Sequence, residues 1–371
     1  MSHASFRHPQ TGQDQINSPF DKNNWVALSA NYEHAVAIDA NGYVWGWGKN
    51  DKGQLGLGPG KANMYTTPQR IGTIVNAVGV ATGTFHTLII DGSGELWGAG
   101  LSAAGVLGTQ AQATPFYSLT NLGGFNTRYG RWVEIHSKRD LAIGKTDNNI
   151  WWSWGDNTKG AVGIDLPDNY LTAPEPLFAS SANIVQVSVG IDVGAAVSSS
   201  GDLWIWGDNT FKQISAVAPS VTATTVRDVT KATAKAGQWL GVAAGQTHVL
   251  ARDRNNMLWA WGRGTSGQLG IGDQIASAYT TPMPVSQTLP SVGIRSYLAL
   301  EANAANSGVV VEQTDGSRAV YLWGNNGYGQ VTSTATSTDA YLWVPVQPTG
   351  SANLKTWFAL QLGDGFTTAL A

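Results

Sequence analysis

The chain is 371 residues long, more than one conventional hydrophobic core accommodates, so it holds either several domains or one repeat architecture. Charged residues make up only 13% and the net charge is −3, which argues against a general binder of polyanions. Cys is absent, which excludes a disulfide framework, Cys-based zinc sites and thiol catalysis.

Residues 1–24 are polar, lack an apolar signal core, and are expected to form an N-terminal segment apart from a single repeat domain over 25–371. Trp25 to Leu28 reads as a short strand, followed by a turn at Asn31 to Glu33 and a second strand at His34 to Ile38. Asp39 to Gly42 is a turn, because Asn-Gly accepts positive φ at little cost. Tyr43 to Trp47 is a third strand, the Gly48 to Gly56 loop follows, and Thr66 to Pro68 leads a fourth strand over Gln69 to Ile74. Three or four short antiparallel strands in about 50 residues make a propeller blade rather than a βαβ unit. No helical periodicity is visible, and no apolar run is long enough to span a membrane.

The stretch V-W-G-W-G-K-N-D-K-G-Q-L-G from Val44 then repeats. Its anchor Trp47 has counterparts at Ala99, Trp154, Trp206, Trp261 and Trp323, spaced 52, 55, 52, 55 and 62 residues apart. A Gly follows each anchor: Gly48, Gly100, Gly155, Gly207, Gly262 and Gly324. A second Gly lies five residues on, at Gly53, Gly105, Gly160, Gly267 and Gly329, with Lys212 as the exception. Lys212 and Ser215 in the fourth unit, and Thr332 in the sixth, replace turn glycines and predict loops of different shape. The second strand recurs seven times, led by His34, His86, Asp140, Val193, His248, Ser307 and Phe366, with longer hairpins expected in the third and sixth units. The seventh copy, from Trp357, supplies two strands only. Two arrangements follow: residues 1–24 complete a composite seventh blade, or a thin seventh blade stands beside a loosely draped N-terminus.

The pattern G-x-x-H-[TA] followed by L-W-x-W-G-x4-G-Q-L-G, cleanest over Gly245 to Gly270, resembles the regulator of chromosome condensation (RCC1) family of β-propellers. Thr-Pro at Thr67-Pro68, Thr114-Pro115 and Thr281-Pro282 fits that family's blade-to-blade connection. The resemblance implies an all-β, seven-bladed β-propeller, and the unpaired edges of an open array favour a last blade closed by the N- and C-terminal segments. Members of the family include an exchange factor for a small GTPase, a plant ultraviolet-B photoreceptor and secreted β-lactamase inhibitors. They share a fold and the habit of binding proteins, so function must be argued from this chain's own residues.

The repeated residues Trp47, Gly48, Gly53, Gly100, Trp154, Gly155, Trp206, Gly207, Trp261, Gly262, Trp323 and Gly324 are read as structural, the glycines for turns and the tryptophans for the wedge between blades. Almost all of the 16 Trp fall in that register, and the Gly-Trp-Arg-His-Thr copies of the photoreceptor are missing, so light sensing is set aside. His34, His86 and His248 sit at equivalent positions of different blades and cannot converge on one ion. Asp156-Asn157 and Asp208-Asn209 have no calcium-loop spacing. No catalytic residue, cofactor or metal is expected, nor an enzyme activity, and no nucleic-acid partner.

The stretches Pro59 to Met64, Thr109 to Tyr129, Asp165 to Ser181, Ser215 to Gly237, Gln274 to Ser296 and Ser333 to Thr356 are read as variable loops suited to protein or sugar contacts. Low charge, no Cys, no secretion signal, and polar ends from Met1 to Ala371 lead to the expectation of a bacteriophage virion component. It would be tail- or fibre-associated, or capsid decoration, and would contact other proteins of the assembly and a host surface protein or glycan. The alternative is a cytoplasmic regulatory or inhibitor propeller that binds a partner protein, including an exchange factor acting on a small GTPase.

Overall fold

The computed structural model describes residues 25–108, 114–164, 166, 168–178, 182–214, 223–228, 238–272, 278–285, 293–327, 331, 340–345, 359–362 and 367–370. Six four-stranded antiparallel meanders follow one another. They are β1–β4 (Trp25–Asn31, His34–Asp39, Val44–Lys49, Met64–Arg70), β5–β8 (Gly79–Thr82, His86–Ile90, Leu96–Gly100, Phe116–Asn121) and β9–β12 (Trp132–Lys138, Leu141–Thr146, Trp151–Asp156, Tyr170–Pro176). After these come β13–β16 (Ile184–Val189, Val193–Ser198, Leu203–Gly207, Ala223–Asp228), β17–β20 (Trp239–Ala244, His248–Asp253, Leu258–Arg263, Ala278–Pro284) and β21–β24 (Ile294–Asn303, Asn306–Gln313, Arg318–Gly324, Ala340–Pro345). The last two strands, β25 (Ala359–Leu362) and β26 (Thr367–Leu370), pair only with each other.

The expected seven blades are therefore six, plus a two-stranded hairpin. Of the seventh repeat, the described residues form β25 and β26. Residues 1–24, on which blade closure and part of the virion expectation rested, lie outside the described residues.

The second strand of each sheet is buried on both faces, as in HAVAID and HTLII, and therefore reads as a continuous apolar run. The fourth strands β4, β8 and β20 are largely exposed or half-buried and carry no apolar period, and most of the expected loops turn out to hold fourth strands. Thr109 to Tyr129 contains β8, Asp165 to Ser181 contains β12, Ser215 to Gly237 contains β16, Gln274 to Ser296 contains β20, and Ser333 to Thr356 contains β24. The first of these edge strands is Met64–Arg70 rather than Gln69 to Ile74, with Pro68 inside it. Pro68, Pro174 and Pro282 all fall where the ladder slips opposite an anchor Trp. A Pro there forfeits no ladder bond and blocks edge-to-edge pairing.

Sequence reading also missed one helix, α1 (Gly123–Tyr129). Seven residues that open on two glycines cannot display a helical period. Phe125 and Tyr129 hold it down, Phe125 edge-on to Trp154 at 5.6 Å between ring centroids.

The described chain divides into two compact units. The N-terminal unit carries the first three sheets; the C-terminal unit carries the rest together with the Lys159–Leu166 loop. Apolar layers within each unit join neighbouring sheets. Val36, Ile38 and Val44 pack with Ile89 in the N-terminal unit. Val197, Leu203 and Ile205 pack with Trp239, Val249 and Trp261 in the C-terminal unit. One loop also shields an edge: the Gly58 amide donates to Tyr117 O at 2.9 Å, and Leu57 bridges to Ser118, covering part of β8.

Candidate functional site

The anchor glycines explain themselves. Gly48, Gly100, Gly155, Gly207, Gly262 and Gly324 have φ between 95° and 109°. A Cβ on any of them would strike the carbonyl oxygen of Glu33, Phe85, Asp140, Asp192, Thr247 or Ala305, the residue just before the second strand. Each of those carbonyls accepts the amide of the residue after the Gly, as from Lys49 at 2.8 Å and Asn325 at 3.0 Å. The end of every third strand thus hooks onto the turn between the first two.

This register also corrects two strand leaders. Leu141 and Asn306, not Asp140 and Ser307, stand opposite the anchor glycines as His34 does opposite Gly48. Leu141 restores the common spacing to Trp154, so only the sixth hairpin is long. Phe366 lies outside the described residues, as do Ser215, Gly329 and Thr332. The fourth-unit turn keeps the shared geometry despite Lys212, whose φ of 60° matches the left-handed backbone of Gly53 at 71°. Its amide reaches Asn209 O at 3.0 Å as that of Gly53 reaches Asn50 O, and Asn209 Oδ1 accepts from Ile214 N at 2.9 Å. Side-chain caps hold a turn that the backbone alone disfavours.

The paired tryptophans do separate work. The first of each pair ties its own hairpin: Trp45, Trp97 and Trp259 donate to Asp39, Asp91 and Asp253 at 2.9–3.0 Å, and Trp152 donates to Thr146. The second reaches back to the preceding repeat. Trp154 donates to Val106 O, Trp206 to Ala161 O, Trp261 to Gln213 O and Trp323 to Gln268 O, all at 2.8–2.9 Å. Those four carbonyls occupy one position, the residue after the turn Gly or Lys. Where the anchor is Ala99, the Thr87 hydroxyl takes the vacant acceptor, Gln54 O, at 2.7 Å.

The histidines belong to the same joints. His34 contacts Thr87 Oγ1 at 3.1 Å, His86 contacts Ser137 Oγ at 2.8 Å and His248 contacts Ser307 Oγ at 2.8 Å. Each hydroxyl donates onward to a carbonyl, so Nε2–H is the donor in each pair. Burial holds His34 down to about 4 and His86 down to about 3, and both rings are neutral at ordinary pH. Gly83 and Gly245 exist because the His86 and His248 rings fill the space of a Cβ. Among the described residues no group of three or more His, Cys, Asp or Glu is placed to hold a metal ion. None of their helices is long and apolar enough to cross a membrane.

What differs from repeat to repeat is the turn between the first and second strands. In the N-terminal unit these turns present Tyr32-Glu33, Thr84-Phe85 and Arg139-Asp140. In the C-terminal unit they present Ile191-Asp192, Gln246-Thr247 and Ala304-Ala305. Tyr32 and Phe85 meet edge to face at 5.9 Å, with Tyr32 38% exposed. Tyr32 and Arg139 both hold φ of 52°, a left-handed conformation unusual for side chains of this bulk. Lys49 pairs with Glu33 on one flank. On the other, burial and the neighbouring Asp156 push the Asp140 carboxyl up to about 6 against the pull of Arg139. An aromatic pair beside opposite charges is suited to recognising a protein surface.

Successive antiparallel four-stranded meanders, locked repeat to repeat by indole and imidazole, define an all-β repeat protein of the β-propeller class. The sequence model of the regulator of chromosome condensation (RCC1) repeat matches residues 41–90 and 255–296, and a second model of that repeat matches 25–54 and 240–268. The crystal structure of human WBSCR16 superposes with a TM-score of 0.78 at 19% identity, over 94% of this chain and 88% of that one. The ultraviolet-B receptor UVR8 of Arabidopsis thaliana is 31% identical over 248 residues, 65% of this chain and 54% of the relative. The guanine nucleotide exchange factor SRM1 of Saccharomyces cerevisiae is 26% identical over 264 residues, 67% of this chain and 54% of the relative. Parts of the chain match the RCC1 repeat and its fold is that of a β-propeller, and it spans about half the length of these two relatives. The virion expectation draws no support from them; the regulatory alternative does.

Proposed function

We propose that this chain is a regulatory propeller that binds a partner protein through its divergent turns, centred on Tyr32, Phe85 and Arg139. The observation that carries the reading is the contrast within each repeat. The anchor-glycine hooks are the same in every sheet, while the turn between the first two strands changes chemistry at every copy and keeps two bulky residues in left-handed backbone. Tyr and Arg are the residue types that dominate binding energy at protein interfaces. A cytoplasmic setting fits a regulator of this kind.

The test is affinity capture with the wild-type chain beside Tyr32→Ala/Phe85→Ser. Any partner is then purified and titrated against both proteins. A partner that binds the wild type at least about tenfold more tightly supports the reading; equal affinity for a variant with an unchanged unfolding midpoint overturns it. A more specific version, guanine-nucleotide exchange on a small GTPase, is favoured by the likeness to SRM1. Release of a fluorescent nucleotide from a loaded GTPase should accelerate with the wild type and revert in the double variant.

A further inference from the structure

At the end of β18 remote from its Gln246-Thr247 turn, the C-terminal unit gathers three guanidinium groups with little to balance them. Arg252, on β18, is half-buried, and its Nη1 donates to the Tyr297 carbonyl at 3.0 Å while its Nε finds no acceptor. A carbonyl satisfies geometry but leaves the charge uncompensated. Burial also lowers the pKa of this Arg, with Tyr297 opposing. Arg254, at the tip of the β18–β19 hairpin, likewise ends on a carbonyl, that of Ser200, at 3.1 Å. Arg295, at the start of β21, has a side chain 67% exposed and meets Glu312 at a loose 3.7 Å.

Hydrogen bonds make these residues one patch. The Arg254 amide donates to Gln238 O, just before β17, and Asn256 Nδ2 donates to Arg295 O at 3.3 Å. The hairpin tip therefore spans the starts of β17 and β21. Leu240 and Met257, 40% and 39% exposed, lie in that span. Nearby acids are already engaged. Asp253 accepts from the amides of Asn255 and Met257 and from the Trp259 indole. Asp202 accepts from Ser198 and Ser200, and Glu312 also accepts from Ser296.

We infer that this hairpin rim, formed by Arg252, Arg254, Arg295, Leu240 and Met257, docks an acidic segment of a partner protein that also carries apolar side chains. Carboxylates of that segment supply the charge that the carbonyls of Tyr297 and Ser200 lack, and its apolar groups cover Leu240 and Met257. A nucleic acid would meet apolar side chains where it needs cations, on a chain of net charge −3. This surface shares no residue with the Tyr32 turns, so each can fail alone.

The experiment titrates a fluorescein-labelled peptide built of Asp, Glu and Leu into the full chain by fluorescence anisotropy. The comparison ligands are the same peptide with Asn and Gln in place of the acids, and a single-stranded oligonucleotide of matching charge. Binding of the acidic peptide, weakened about tenfold or more in Arg254→Glu/Arg295→Glu and about threefold or more in Leu240→Asn, is the expected result. Tyr32→Ala/Phe85→Ser should leave it unchanged. Equal binding by the charge-reversed variant with an unaltered circular dichroism spectrum, equal binding of the neutral peptide, or tighter binding of the oligonucleotide would each overturn the inference.

Discussion

At Gly262 a single hydrogen atom separates a working joint from a clash, because a methyl group there would meet the Thr247 carbonyl in backbone that already disfavours a side chain. Gly262→Ala should cost about 2–4 kcal/mol, read from the shift in urea midpoint. Titration acts at this scale too, and two effects oppose. His34 and His86 are depressed when folded, so their contribution is complete above the ordinary histidine value and drains as pH falls toward about 4 and about 3. Asp140 is raised to about 6, so its cost is absent below the ordinary carboxylate value and complete above pH 6. Asp140→Asn should therefore stabilise the chain by about 2 kcal/mol at pH 8 and by nothing measurable near pH 4, by denaturation at both values. The anchor glycines were legible in the sequence because nothing else fits their backbone. Lys212 was misread: a gap in the glycine pattern suggested a new loop shape, whereas Asn209 and Gln213 hold the old one.

The elements are held by shared acceptors, and sharing is measurable. Gln268 O receives both the Trp323 indole and the Ser307 hydroxyl. Trp323→Phe and Ser307→Ala should each destabilise by about 1–3 kcal/mol. Their double variant should lose more than the sum, because each single change leaves the carbonyl one donor and only the double change orphans it. Trp206→Phe combined with Trp323→Phe should instead be additive within about 0.5 kcal/mol, since their acceptors, Ala161 O and Gln268 O, belong to different joints. Phe125→Ala should cost about 3–4 kcal/mol by removing the aromatic that seats α1 against Trp154. The sequence announced the inner strands through their apolar runs and hairpin turns. It concealed most of the outer strands, of which β8 and β20 are largely exposed or half-buried, and α1, which is too short to show a period. The division of labour between the two tryptophans of each pair was also hidden, because spacing cannot reveal which carbonyl an indole meets.

For the whole molecule, repetition explains why function was harder to read than fold. Six copies of one scaffold advertise themselves, but the residues proposed to bind partners are those that break the repetition, and a single turn pair such as Arg139-Asp140 carries no motif. The backward reach of each anchor indole has a further implication for how the chain is made. Translation releases the carbonyl ledges at Val106, Ala161, Gln213 and Gln268 before the tryptophans that rest on them. The third to sixth sheets thus each meet a finished seat and need not wait for one, so maturation on the ribosome can advance steadily in chain order.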